Sequence, residues 1–172
     1  MCIRDSDTVD RAHAFVRHGV VAFGFPDILL GPPDVFDQLL TRMDAGDVDV
    51  VLGLYDVADP RESDMVKLDG ENRVLGIYLK DTTSALPHCW ACAVWGPRFT
   101  EFMHDAVQEH REHTAGSFGT IDAGGDLPMG LIFKQSVEAG LKVVGVPFEG
   151  YHWTDVGSPR DLLRMAGKLR GQ

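Results

Sequence analysis

Three cysteines in 172 residues are too few, and an odd number, to build a disulfide framework. No stretch approaches the roughly 20 apolar residues that a bilayer span requires, and the N-terminus has no apolar signal core. The expectation is a cytoplasmic protein with no membrane partner. Positive charge is scarce: 16 Lys and Arg against 26 Asp and Glu leave a net charge of -10. That surplus repels a phosphate backbone at long range, so nucleic acid is not an expected partner. Neither a G-x-G-x-x-G nor a Walker-type phosphate loop occurs. What is present is an ordinary globular composition, 44% hydrophobic and 24% charged. At about 150 residues per domain, the length suits one domain.

Residues 1 to 6, Met-Cys-Ile-Arg-Asp-Ser, fit no structural pattern and read as translated adapter sequence foreign to the protein. Residues 7–172 then read as a partial domain, the C-terminal portion of a longer protein. Val9, Ala12 and Val16 are helically spaced and stop at Gly19, as if the chain enters in mid-helix. Val20-Val21-Ala22-Phe23 is a continuous apolar run suited to a strand covered on both faces. Pro32-Pro33 open a helix whose apolar face is Val35, Phe36, Leu39, Leu40 and Met43, and Val48 to Leu54 is a second buried strand. Strand, helix and strand in about 35 residues form a βαβ unit.

Two β-rich runs flanking Asp69-Gly70-Glu71-Asn72 predict a hairpin, so the sheet is mixed. Trp90 to Trp95 is a further strand, and Phe99, Phe102, Met103, Ala106 and Val107 mark an amphipathic helix. Glu109 to Gly125 read as a surface loop. A helix from about Pro128 to Ala139 with Gly140 as its C-cap, a strand over Val143 to Val146, and a last helix opening at Ser158-Pro159 and carrying the apolar Leu162, Leu163 and Leu169 complete the pattern. The predicted fold is α/β: a Rossmann-like three-layer domain around a mixed, mainly parallel sheet.

In such sheets ligands sit beyond the carboxyl ends of the strands. Asp27 follows the Val20–Phe23 strand and Asp155 follows the extended Tyr151-His152-Trp153. Two carboxylates meeting there make a hard-oxygen site for Mg²⁺, with substrate phosphates as the remaining ligands. The bland alternative is a Pro-Asp turn at Asp27 and a helix approach at Asp155, where acids are common.

Gly24-Phe25-Pro26-Asp27 before a proline-started helix, Asp49 to Leu54, Val74 to Lys80, Trp90 to Trp95, and Gly150-Tyr151-His152-Trp153-Thr154-Asp155-Val156-Gly157-Ser158-Pro159 resemble the sugar-1-phosphate nucleotidyltransferases. The likeness is to the glucose-1-phosphate thymidylyltransferase type and covers about residues 8–166. Its most specific piece is the closing W-x-D-x-G-[TS]-P. The resemblance implies a Mg²⁺-dependent transfer of a nucleotidyl group from a nucleoside triphosphate, dTTP, to a sugar 1-phosphate, glucose 1-phosphate, with release of pyrophosphate. It implies catalytic, metal-holding roles for Asp27 and Asp155, and a sugar-phosphate contact for Lys80. Leu79 and Asp81 stand where the family has Glu and Pro beside that lysine. The family's nucleotide loop, G-x-G-T-R after the first strand, is absent, so the chain as it stands is expected to be inactive. Two other readings belong to different classes: a non-catalytic sugar-nucleotide-binding regulatory subunit, and a nucleotide-sugar glycosyltransferase. The sequence leaves the oligomeric state open, and a homo-oligomer is compatible with it.

Three further signals carry less. Cys89 and Cys92 form a C-x-x-C, but on a straight strand positions three apart face opposite ways. Asp47-Val48-Asp49 resembles a glycosyltransferase D-x-D but precedes its strand. His104, His110 and His113 with Glu109 and Glu112 fit a solvated helix end better than a zinc site.

Overall fold

The computed structural model describes residues 5–57, 63–80, 85–115, 127–151, 153–160 and 162–163. The chain opens with α1 (Asp5–Arg11) and α2 (His13–Val16), broken at Ala12, then β1 (Val21–Gly24) and β2 (Ile28–Leu29). α1 starts inside the six residues set aside on sequence grounds, and Ser6 is fully buried. Next come α3 (Val35–Asp44), β3 (Val50–Asp56), the hairpin β4 (Met65–Leu68) and β5 (Val74–Tyr78), and β6 (His88–Trp95). The remaining elements are α4 (Pro97–Ala115), α5 (Met129–Glu138), β7 (Val143–Pro147) and β8 (Thr154–Asp155).

The main sheet runs β5-β4-β6-β3-β7, with β1 also paired to β6. β1, β3 and β4 are each antiparallel to β6, and β7 is parallel to β3. These four strands therefore point one way, while β5 and β6 run against them. The strand directions are mainly shared, yet β3–β7 is the one parallel ladder among the described residues, because β6 lies between β3 and the edge that β1 and β4 occupy. The β1–α3–β3 crossover is thus a βαβ unit with a reversed strand inserted between its two strands.

β3 shows why both faces of the sheet are covered. Val50, Leu52 and Leu54 enter one apolar cluster with Phe99, Met103 and Phe133 of α4 and α5, while Val51 and Tyr55 enter the other with Val35, Leu39 and Met43 of α3. Spacing of four along α3 and along α4 puts those side chains on one stripe each, which is the helical period at work. Leu39 is wholly buried, so truncation to Ala would cost roughly 2–5 kcal/mol.

Local chemistry sets the turns. Asp69 Oδ1 accepts the Glu71 N–H at 2.8 Å and the Arg73 N–H at 2.9 Å, and Asn72 takes a left-handed φ of 61°. Gly140 (φ 83°) ends α5, its N–H donating to Val137 O at 3.0 Å and the Leu141 N–H to Ser136 O at 2.9 Å.

Three expectations change. β1 is not covered on both faces: Val21 and Phe23 are half-buried, while Ala22 and Gly24 are exposed. α4 runs to Ala115, so part of the expected loop is helix; residues 116–126 lie outside the described residues. Of the last helix, Pro159 and Arg160 are helical and the Leu162 N–H donates to Ser158 O at 3.1 Å, but Leu162 and Leu163 are exposed. Residues 164–172, with Leu169 among them, lie outside the described residues.

Candidate active site

β1 delivers the chain to the rim where β3, β4 and β7 point, and the turn Phe25–Asp27 comes next, with the Ile28 N–H donating to Phe25 O at 3.2 Å. β2 then pairs with β8 in a two-stranded antiparallel ladder in which Ile28 faces Asp155 and Leu29 faces Thr154. The Val156 N–H donates to Asp27 O at 2.8 Å. The main chains of Asp27 and Asp155 therefore run side by side at the sheet's edge. The Asp155 side chain lies outside the described residues.

Asp27 is half-buried, and among the described residues its carboxylate makes no hydrogen bond or ion pair. Among the described residues no group of three or more His, Cys, Asp and Glu is placed to hold a metal. Two oxygen-donor carboxylates fit Mg²⁺, which keeps water and phosphate in most of its positions.

Aromatic side chains line the same rim. Phe25 packs on Phe23 and Trp90 with ring centroids 5.1 and 5.8 Å apart, and Trp90 stands edge-on to Phe133 at 5.0 Å. The Trp153 Nε1–H donates to Cys89 Sγ at 3.2 Å, tying the segment before Asp155 to β6. Tyr55 and Phe148 stack at 5.3 Å beneath.

Lys80 follows β5 with a φ of 44°, a left-handed conformation that costs a non-glycine residue about 1 kcal/mol or more. It lines an open groove of about 640 Å³ between β5 and α5, with Leu75, Ile77, Tyr78, Lys134 and Glu138. Asp27 does not line that groove. Asp64, which precedes β4, lies between them: its carboxylate is beside the Lys80 backbone N–H and the Trp90 indole, and Trp90 packs on Phe25. Burial pushes the Asp64 carboxyl above the usual carboxylate range, against the pull of these donors and of the Lys80 charge. Trp90 Nε1 is buried beside the same carboxylate without a hydrogen bond of ordinary geometry. Sequence reasoning missed Asp64 because it examined acids that follow strands; an acid immediately before a strand was the available signal.

The other polar clusters have structural explanations. β6 is bulged: Gly53 pairs with Cys92 and Leu54 with Trp90, so Ala91 has no partner, and Ala91 and Cys92 both join the α3-side cluster. The straight-strand argument that the two sulfurs face apart therefore fails, since Trp153, Cys89's donor, packs against the same cluster. Burial raises both thiols, Cys92 to about 12, which removes the thiolate that redox chemistry needs. Asp49 accepts the Lys142 N–H at 2.7 Å and pairs with Arg98 at 3.1 Å, while Asp47 pairs with Lys142 Nζ, whose hydrogen bond holds the Asp47 carboxyl below its usual range. The D-x-D acids thus tie β3, β7 and α4 together at the end of the sheet opposite Asp27. His104, expected to be solvated, is instead engaged: its Nδ1–H donates to Asp10 at 2.6 Å and its ring stacks on His13 at 3.9 Å.

No known family profile matches the chain, and no curated protein matches it. Solved structures do. The chain is similar to the apo UDP-glucose pyrophosphorylase (TM-score 0.75, 10% identity, 99% of this chain and 61% of that one). It is similar to a putative glucose-1-phosphate thymidylyltransferase from Bacillus anthracis in complex with a sucrose (TM-score 0.72, 13% identity, 96% and 60%). It is also similar to the inositol-1-phosphate CTP transferase from T. maritima (TM-score 0.68, 17% identity, 97% and 61%). The chain shares the fold of these nucleotidyltransferase structures and spans about three-fifths of their length.

Proposed function

We propose that this chain is the C-terminal part of a sugar-1-phosphate nucleotidyltransferase, with Asp27 and Asp155 as the carboxylates of a Mg²⁺ site and Lys80 as a contact for the sugar phosphate. One observation carries the reading: the β2–β8 ladder, closed by the 2.8 Å bond from Val156 N–H to Asp27 O, joins two acids 128 positions apart at the rim where α/β sheets bind ligands. The shared fold supports it.

The reaction proposed is attack of a sugar-phosphate oxygen on the α-phosphorus of a nucleoside triphosphate, dTTP with glucose 1-phosphate, displacing pyrophosphate. A bound Mg²⁺ would neutralise phosphate charge as it builds in the transition state. The protein's own part is positioning. Asp27 and Asp155 would supply oxygen ligands from two backbone segments that hold each other in register. Lys80 presents a cation to the attacking phosphate. With no G-x-G-T-R loop in its sequence, the chain by itself lacks the amides and arginine that would hold a triphosphate.

The test is calorimetric titration of the chain with glucose 1-phosphate, dTDP-glucose and UDP-glucose, with Mg²⁺ and with chelator. The reading expects Mg²⁺-dependent binding that falls at least about tenfold in Asp27→Asn. Binding of the nucleotide sugars that ignores both the metal and the substitution would favour the non-catalytic binding subunit. Pyrophosphate release from dTTP and glucose 1-phosphate by this chain would show the loop to be dispensable. Transfer of the sugar from dTDP- or UDP-glucose to an acceptor would select the glycosyltransferase.

A further inference from the structure

The groove between β5 and α5 is lined by two cations. Lys80 reaches it from the end of β5 and Lys134 from the middle of α5, around a volume of about 640 Å³. The packing of α5 explains why both face one space. At Gly130, in its first turn, a Cβ would overlap Asp64 Oδ2 and stand 3.0 Å from Leu79 Cδ2, so the helix lies flush against the residue before Lys80. Lys134 comes four positions after Gly130 and so projects from the same stripe of the helix, about 6 Å further along its axis. The flexible four-carbon stems of the two lysines cover a separation of that size.

Little else holds Lys134. Its one ion pair among the described residues is with Glu138 at 3.9 Å, between side chains that both reach solvent. The lysine stands on the N-terminal side, which is the poorer order for such a pair four residues apart. Among the residues that line the groove, Lys80 and Lys134 outnumber Glu138, a local reversal of sign in a chain of net charge -10.

We propose that Lys134 is a second phosphate-binding residue, closing with Lys80 on one terminal phosphate group in the β5–α5 groove, with Glu138 as the anion's competitor for the Lys134 ammonium. The inference deepens the phosphate-contacting role proposed above for Lys80 and rests on it. A single ammonium on a flexible stem draws an anion in without fixing its place. Two, from a strand end and a helix face, hold it at one point between them.

The experiment is calorimetric titration of the whole chain with glucose 1-phosphate and with inorganic phosphate, in K80A, K134A, E138Q and R42A. The proposal expects K134A to lose about threefold to tenfold in affinity, equally for both ligands, the scale of one lost hydrogen bond to a charged group. E138Q, which removes the competing carboxylate, binds both at or above the unsubstituted affinity. R42A removes one positive charge from α3, on the opposite face of the sheet, and leaves binding unchanged. Unchanged affinity in K134A, with K80A weakened, overturns the second cation while leaving Lys80 intact. A loss in K134A confined to glucose 1-phosphate places Lys134 on the sugar and overturns the phosphate assignment. An equal loss in R42A reduces the effect to net charge, and weaker binding in E138Q shows that Glu138 does not compete; either overturns the proposal. Unchanged affinity in K80A removes the Lys80 reading itself, and this proposal with it.

Discussion

The chain carries acids in two settings, and their difference separates scaffold from site. Between α1–α2 and α4, Asp10 is buried and fully engaged: it accepts from His104 at 2.6 Å, Gln108 at 3.1 Å and Arg111 at 2.6 Å. Asp7 accepts from the Arg111 Nε–H at 3.0 Å, and His13, stacked on His104, bonds Glu101 at 3.2 Å. The Asp7 hydrogen bond above all, with Asp10 in support, holds the Arg111 guanidinium still higher above neutrality. At the rim, Asp27 has its main chain clamped by Val156 and its carboxylate uncommitted among the described residues. An acid both of whose oxygens are engaged by the protein holds helices together. One whose backbone is fixed and whose oxygens are open is positioned for something the protein does not itself contain.

The largest expected effect tests the first half of this contrast. Asp10→Ala takes the buried acceptor from His104, Gln108 and Arg111 Nη1, leaving Arg111 only Asp7, and should cost on the order of 3 kcal/mol, a drop of roughly 6–12 °C in a thermal melt. A shift near zero would mean the network is surface decoration. The second half predicts the reverse for Asp27→Ala: a change in stability within about 0.5 kcal/mol, with loss of Mn²⁺ binding read by paramagnetic broadening. If Asp27→Ala melts the protein as Asp10→Ala does, the two settings are the same.

Smaller effects sharpen the comparison elsewhere. Because burial raises both β6 thiols, Cys89 and Cys92 should react with a disulfide reagent at about pH 8 no faster than the protein opens, and promptly in urea. Fast labelling of Cys89 or Cys92 in a folded Cys2→Ser chain would place that thiol nearer the surface than the structure does. The smallest effect belongs to an exposed acid. Two backbone N–H groups, from Arg73 first and then Glu71, hold the Asp69 carboxyl below its ordinary value. Its folded pKa is depressed, so its contribution is present above about pH 4 and is lost as pH falls through the folded value. Asp69→Ala should therefore lower the urea midpoint slightly at about pH 6, and by less as the pH falls below about 4.

Most elements were legible in the sequence. The spacing of Val35, Leu39 and Met43 marks α3, the turn chemistry of Asp69 to Asn72 marks the hairpin, and Gly140 ends α5 where a left-handed residue is required. Asp27 and Asp155 were legible as candidates from their places after extended segments and from the W-x-D-x-G-[TS]-P motif. What escaped was non-local. Arg111, more than a hundred positions from Asp7, helps keep α4 helical through what reads as a loop. The Ala91 bulge is visible only against β3. Asp64 meets Gly130 of α5 and Trp90 of β6, on two other elements.

Local chemistry along the chain determined which segments become helix, strand and turn, since periodicity, capping and left-handed residues act within a few positions. Tertiary structure alone decided that β6 would stand among β1, β3 and β4, that Ile28 would face Asp155, and that one acid would be spent on Arg111 while another stayed open. Those outcomes depend on which apolar faces bury each other across a hundred residues of chain, and no local pattern encodes that pairing.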